Sequence, residues 1–438
     1  MAGVSLNPLP KDKEFEEYIA AFFQSDGYFI ERSIVNRQEE EILELDVILT
    51  NYNSIFPRSR LCEMKSGGWG FPDIFKVRGW LDFTKLPKGL FIVQKTKPSF
   101  EFYKRISKDL KISLVLIEDI SNTKNYFKHH LKTYKLQDKD IIIWRYSYWL
   151  ERNLMKILNS KKKSGTGRKC YEIMENYYFS VNSGVFFTRN IIDRLIKLYD
   201  NFKSHPKLSA KVGNELIGNN FDDPHESMPV GIFKETFYEC KLTDIQFSTF
   251  VEHTSKLGIL KNLVDYTMFK EAGNKVRTED IMGFFGSMKI SKLDFLPKSF
   301  KDSLEEISKH KCFSRYAVFW QWFLWFFGGF ILLDYEEQEY KLMSEKTGIP
   351  IDEIPNALMA FDILFPMTGS WFFKPPHSNV KIMQMFSIPF RGIGANARRI
   401  YYTDSGKFEE LKLTGKHTYN DLIAWNNLAV EVLDKKFK

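Results

Sequence analysis

The chain has 438 residues, 44% of them hydrophobic and 27% charged, with 40 Phe and a formal net charge of +8. That length exceeds what one core usually organises, so two or three domains of an ordinary folded protein are expected. Four scattered cysteines with no CxxC pair (Cys62, Cys170, Cys240, Cys312) exclude a zinc ribbon and a secreted disulfide framework, and the opening MAGVSLNPLPKDKEFEEY lacks a signal peptide's basic start and apolar run, so the expected setting is the reducing cytoplasm.

The first 120 residues read as helix, strands, helix, strand, helix, strand. Asp12 is an expected N-cap, and Phe15, Tyr18, Ile19, Phe22 and Phe23 recur at helical spacing until Gly27 ends the run. YFIERSIV, ILELDVILT and RLCEMKS follow as strands, the last two separated by a loop with Asn51, Asn53 and Pro57. A helix from Phe71 to Phe83, the apolar strand GLFIVQ, a helix from about Ser99 to Leu110 and the strand ISLVLIE complete the domain.

Two of these strands carry acids inside apolar runs. Side chains alternate across a strand, so Glu63 and Lys65 share one face while Cys62 and Met64 point into the opposite layer. By the same rule Glu44, Asp46 and Ile48 lie together, with Leu45 and Val47 behind. Sequential strands are usually neighbours, which brings Asp46 and Glu63 within reach of one cation. Two hard carboxylates in an open coordination sphere suit Mg²⁺, with Lys65 placed to orient a water or offset phosphate charge. Ordinary strand-edge charges are the alternative, although buried acids need a partner or a metal.

Asp46, a loop and then Glu63-Met64-Lys65 resembles the D…(D/E)xK signature of the restriction endonuclease-like nuclease superfamily. The helix FEEYIAAFFQSDGYFI resembles the entry helix of its branch of Holliday-junction resolvases and methylated-DNA restriction enzymes, and ELDVI is similar to the E-I-D-L-I form of the second strand. The resemblance covers roughly the first 120 residues. It implies an α/β restriction endonuclease-like domain, a mixed sheet flanked by helices, that hydrolyses DNA phosphodiesters with Mg²⁺, for which Mn²⁺ would substitute. The implied catalytic set is Asp46, Glu63, Lys65 and Glu16, and the metal would be held by Asp46, Glu63, Glu16 and the Met64 carbonyl. Spacing leaves open whether Glu16 or Glu17 faces the site. Gln94 matches a glutamine sometimes found after the next strand, and the proline that often precedes the aspartate is replaced by Leu45. Restriction, antiphage defence or DNA repair is the setting the resemblance implies.

Residues 121–170 hold thirteen Lys and Arg against three Asp and Glu, which accounts for the chain's whole basic excess. With Tyr126, Phe127, Tyr134, Tyr146 and Tyr148 interleaved, the stretch reads as an aromatic-rich connector able to touch nucleic acid. Arg145, Lys161, Lys162, Lys163, Arg168 and Lys169 are its candidate phosphate contacts. For KKKSGTGRK a solvated domain junction stays open, and GTGRK lacks the spacing of a nucleotide phosphate loop. His129 and His130 are expected at the surface.

Residues 171–438 read as mainly helical, with RNIIDRLIKLYDNF and TEDIMGFFGSM as helices and GNNFDDPHES as a boundary candidate. Tyr316–Leu333 holds one strongly polar residue, Gln321, and just meets the ~18-residue length of a membrane span. Marginal length, the Gly328-Gly329 break, the lack of a second span and the long polar region that follows favour a buried helix, so a membrane partner is not expected. Residues 340–364 resemble a helix-turn-helix around Gly348. Its second helix offers Asp352, Glu353 and Asn356 but no Lys or Arg, a poor surface for a DNA groove. FRGIGANARR, 390–399, is a further candidate phosphate contact or charged loop.

The expectation is therefore a metal-dependent endonuclease with a helical recognition or regulatory region, acting on DNA and pairing with a second copy or another protein through residues 171–438. The alternative from another class is a non-catalytic nucleic-acid-binding or scaffold subunit on the same fold.

Overall fold

A computed structural model describes residues 6–37, 41–128, 136–161, 186–187, 193–198, 242–272, 298–365, 372–373, 380–383 and 388–402. TEDIMGFFGSM, GNNFDDPHES, Tyr134, His129 and His130 lie outside them.

Helix α1, Lys13–Ser25, turns its apolar spacing into burial of Phe15, Ile19, Phe22 and Phe23. It ends as its residues dictate. Gly27 takes φ 89°, its N–H donates to the Gln24 carbonyl, and the Tyr28 N–H donates to the Phe23 carbonyl, a Schellman turn. At the other end Asp12 is the N-cap by position only. Its N–H donates to Ser66 Oγ and its carboxylate accepts from that hydroxyl, both at 2.9 Å, which ties the start of α1 to the loop after the third strand.

The N-terminal sheet has the order β1 (Phe29–Arg37), β2 (Glu41–Asn51), β3 (Arg58–Lys65), β4 (Gly89–Val93) and β5 (Ile112–Leu116). The first three strands are antiparallel and the last three parallel, so this is a mixed five-stranded sheet flanked by helices. Parallel neighbours need crossovers, and α2 (Phe71–Thr84) and α3 (Phe100–Asp109) provide them. Pro72 and the Asp73 carboxylate, which accepts the Gly70 N–H at 2.8 Å, start α2. β4 is buried at every position, as a strand covered on both faces must be.

A short helix α4, Thr123–Phe127, leads to the long α5, Asp138–Lys161. α5 packs on α1. Arg152 donates to the buried Glu17 at 2.7 Å, and Arg32 on β1 pairs with Glu151 at 2.7 Å. Here three of the aromatics read as able to touch nucleic acid are corrected. Phe127, Tyr146 and Tyr148 are buried, because α5 lies between the sheet domain and the later helices and uses its rings as packing.

The C-terminal region is mostly helical: α6 (Leu242–Ala272), α7 (Lys298–Ser308), α8 (Tyr316–Trp325), α9 (Glu336–Thr347), α10 (Ile354–Leu364) and α11 (Ile388–Tyr402). A small antiparallel sheet of β6 (Phe330–Leu332), β7 (Phe372–Phe373) and β8 (Val380–Met383), in the order β6-β8-β7, was not expected. α8 is the apolar segment. It spans ten residues, lies against β1, α6, α9, α10 and α11, and turns into β6 through Gly328 and Gly329, both at positive φ. Among the described residues no helix is long and apolar enough to cross a membrane.

Gln321, the one strongly polar residue of α8, explains how this helix finds its place. Its Nε2 donates to the Ile30 carbonyl at 2.7 Å and its Oε1 accepts the Ile30 N–H at 3.0 Å, so it completes the ladder of the edge strand β1 as a neighbouring strand would. One continuous apolar core runs from Phe15 on α1 to Ile400 on α11.

The helix-turn-helix-like segment is α9, a turn through Gly348 at φ 73°, and α10. α10 buries Ile354, Ala357, Leu358 and Phe361 on α8, where Trp320 stacks on Phe361 at 4.1 Å and donates to the Ala357 carbonyl. The FRGIGANARR segment is also corrected. It is part of α11, with Arg398 and Arg399 buried, because α11 packs tightly on the Gly328 turn: a Cβ on Gly394 would lie 2.1 Å from the Phe327 carbonyl oxygen.

Candidate active site

The antiparallel register in which Val47 faces Cys62 carries Asp46 to the position opposite Glu63. Both acids are buried, Glu63 at 2% exposure, and the Met64 N–H donates to Asp46 Oδ2 at 2.9 Å. Cys62 and Met64 fill the opposite layer, as strand alternation requires.

Two ammonium groups approach the pair from one side. Lys65 Nζ and Lys76 Nζ each lie 3.7 Å from Glu63 Oε1, while Glu63 Oε2 is buried without a hydrogen-bond partner. Burial and the Asp46 charge push the Glu63 carboxyl up to about 9. Burial raises Asp46 against the opposing hydrogen bond from Met64. Glu16 rises to about 7 by burial and the charge of Asp46.

α1 resolves the choice between its two acids. Glu16 faces the site, held by Lys13 at 3.0 Å, and Lys13 also reaches Glu44 at 2.8 Å. Glu17 points into the core and binds Arg152. Among the described residues no group of three or more His, Cys, Asp and Glu side chains is gathered to hold a metal ion. The acidic centre is accordingly a two-carboxylate one, Asp46 and Glu63, with Glu16 drawn toward Lys13. Such a pair suits Mg²⁺, which binds through one or two carboxylates and keeps several waters. The facing pair fits that role, since two buried carboxyls that share a hydrogen bond resist ionising together unless a cation offsets their charge.

The phosphate-contact candidates fare differently. Arg145 is corrected: it is buried, donates to the Asn7 carbonyl at 2.9 Å and lies against the Tyr18 ring, because its turn of α5 faces the N-terminal segment. Lys161 closes α5, and Lys162, Lys163, Arg168 and Lys169 lie outside the described residues. Gln94 donates to the Pro10 carbonyl at 3.2 Å. Lys13 and Lys76 went unread in the sequence. Lys13 stands three residues before Glu16, a helical ion-pair spacing that signals it, whereas Lys76 reaches Glu63 only through the crossover packing of α2.

The raised carboxyls give a signed pH dependence. The folded protein holds protons on Glu63 and Glu16 that the unfolded chain, with carboxyl values near 4.5, has released. The stability of the metal-free protein is therefore expected to fall as pH rises from about 4.5 through 7 and toward 9. A divalent cation held by these carboxyls would replace those protons. Thermal unfolding in EDTA and in Mg²⁺ is expected to separate by a few degrees at about pH 8.5 and to converge near about pH 5.5. Equal separation at both values would refute this reading.

Comparison of the chain with protein-family models, with curated proteins and with solved structures finds no match.

Proposed function

We propose that the protein is a metal-dependent endonuclease that hydrolyses DNA phosphodiesters at Asp46, Glu63 and Lys65. The observation that carries this reading is the facing pair of buried carboxyls, flanked by two lysines. Asp46 and Glu63 would hold Mg²⁺, which supplies positive charge to the scissile phosphate and lowers the pKa of water it binds. The Met64 carbonyl lies on the same strand and is a further candidate donor. The chain's own residues do the rest. The Met64 N–H fixes the Asp46 carboxylate, and the ammonium of Lys65 stands beside Glu63 where charge grows on the phosphate oxygens as water attacks. Lys76 offers a second positive charge from α2. Glu16, gripped by Lys13, tunes the field on Asp46 from the helix side.

The test is cleavage of supercoiled plasmid, linear duplex, single-stranded DNA and RNA with Mg²⁺, Mn²⁺ or EDTA. Cutting that requires the metal is expected, with Mn²⁺ able to replace Mg²⁺. One observation favours a second reading, a non-catalytic nucleic-acid-binding subunit: Lys13 draws the third acid, Glu16, into an ion pair. Binding of nucleic acid with no cleavage under any metal would select it.

A further inference from the structure

α2 and α3 carry aromatic side chains that the core does not use. Phe75 and Phe102 are 56% and 46% exposed. Both flank the half-buried Phe71, with ring centroids 6.3 and 5.8 Å from its own. Phe71 stacks on Tyr103 at 4.3 Å, and Tyr103 abuts the buried Trp69 at 5.1 Å. The cluster is thus rooted in the core at Trp69 and open to water at Phe75 and Phe102. Neighbouring large rings left in solvent mark an interaction surface more often than isolated ones do.

Charge decides what would cover it. From Lys95 to Lys111 the chain holds six Lys and Arg against two Asp and Glu. Arg105 lies 5.4 Å from the centre of the Phe102 ring, and Lys97 lies 5.4 and 5.6 Å from the rings of Trp69 and Tyr103. The central part of a protein-protein interface is depleted in lysine, whereas rings interleaved with cations match a strand whose bases stack and whose phosphates need neutralising. An intact duplex keeps its base faces inside the helix and has none to offer these rings.

The platform joins the acidic centre through α2. Lys76 follows Phe75, spreads its ammonium 4.1 Å over the Trp80 ring and reaches Glu63. Between Lys65 and α2 the loop passes Gly67 and Gly68, where an added Cβ would meet nothing within 4 Å, so the approach is open.

We infer that the face formed by Phe71, Phe75 and Phe102 is a stacking platform for an unpaired nucleic-acid strand, which it leads toward Asp46, Glu63 and Lys65. The direction of that path rests on the nuclease reading, and the inference deepens it: the substrate is single-stranded or locally unpaired. The test is fluorescence anisotropy of the full-length protein in EDTA with labelled single-stranded DNA, single-stranded RNA and duplex DNA of equal length. Single strands are expected to bind at least tenfold more tightly than duplex. Phe75→Ala and Phe102→Ala are each expected to weaken single-strand binding about tenfold, Phe75→Trp to retain it, and Phe83→Ala, elsewhere on α2, to leave it unchanged. A preference between the DNA and RNA arms names the sugar, and either supports the platform. Equal affinity for duplex and single strands overturns the inference, as do alanine variants that bind normally. Alanine variants that instead change the protein's mass by light scattering assign the face to self-association and overturn it as well. Because binding is read without metal, ring-dependent binding with no cleavage under any cation would refute the nuclease and keep the platform. Cleavage with ring-independent binding would do the reverse.

Discussion

Glu63→Gln is expected to lower cleavage by about 10³-fold or more and to stabilise the metal-free protein. Gln is nearly isosteric, so the packing of β3 is kept while one of the two proposed cation ligands is lost. Metal assistance is worth several kcal/mol of barrier, and each 1.4 kcal/mol is about tenfold in rate. The same change removes the group whose ionisation the fold resists most, since burial and Asp46 hold the Glu63 carboxyl near about 9. In EDTA at about pH 8 the variant should therefore melt higher than the wild type, and its response to Mg²⁺ should shrink. Lys65→Ala, with its charge beside Glu63 removed, should cost about 10²-fold in rate and leave the Mg²⁺ response in place. Activity lost together with stability gained is the mark of a site built against stability, because a merely structural acid behaves oppositely. Glu17 provides that contrast: it is buried at 4% exposure against Arg152, and Glu17→Ala should destabilise the fold by leaving that arginine without its carboxylate. A Glu63→Gln protein that cuts at the wild-type rate would refute the site.

What could be read from the sequence follows the range of the forces involved. Asp46, Glu63 and Lys65 were legible because strand alternation has a period of two and strands adjacent in sequence tend to pair, so their shared face needs no long-range knowledge. The end of α1 was legible because Gly27 alone supplies the left-handed residue the turn demands. The side chains of α5 were misread. A composition of +10 over fifty residues averages across a helix whose Arg145 and Arg152 are turned inward to the Asn7 carbonyl and to Glu17. Both partners lie more than a hundred residues away, and no periodicity announces them. α8 showed its nature by being apolar all round, which suits a fully buried helix, while the role of Gln321 depends on where β1 ends the sheet. Lys76 belongs to the same class, since only the packing of a crossover helix brings it to Glu63.

The largest effect on folding is expected at Arg398. This residue is fully buried, donates through Nε to both oxygens of the fully buried Glu339 at 2.9 Å and through Nη2 to Glu339 Oε2, and also donates through its Nη groups to the carbonyls of Phe327, Gly394 and Phe330. Tyr402 adds a hydroxyl to Glu339 at 2.7 Å. These bonds fasten α11 and α9 around the Gly328-Gly329 turn, and that turn sets the end of α8. Arg398→Ala leaves a buried carboxylate without its counter-charge and takes a donor from three carbonyls, so a loss of about 3–5 kcal/mol is expected in urea unfolding. Replacing both partners, Glu339→Leu with Arg398→Met, removes the stranded charge and should recover much of that loss. A cost below about 1 kcal/mol for Arg398→Ala would show that the network does not hold the turn. The consequence reaches the acids. α8 places Gln321 on Ile30, β1 pairs with β2, and β2 carries Asp46, so a C-terminal arginine supports the strand that bears the first carboxylate. Cleavage by the Arg398→Ala variant is accordingly expected to fall in step with its folded fraction, whereas Glu63→Gln loses activity while folded.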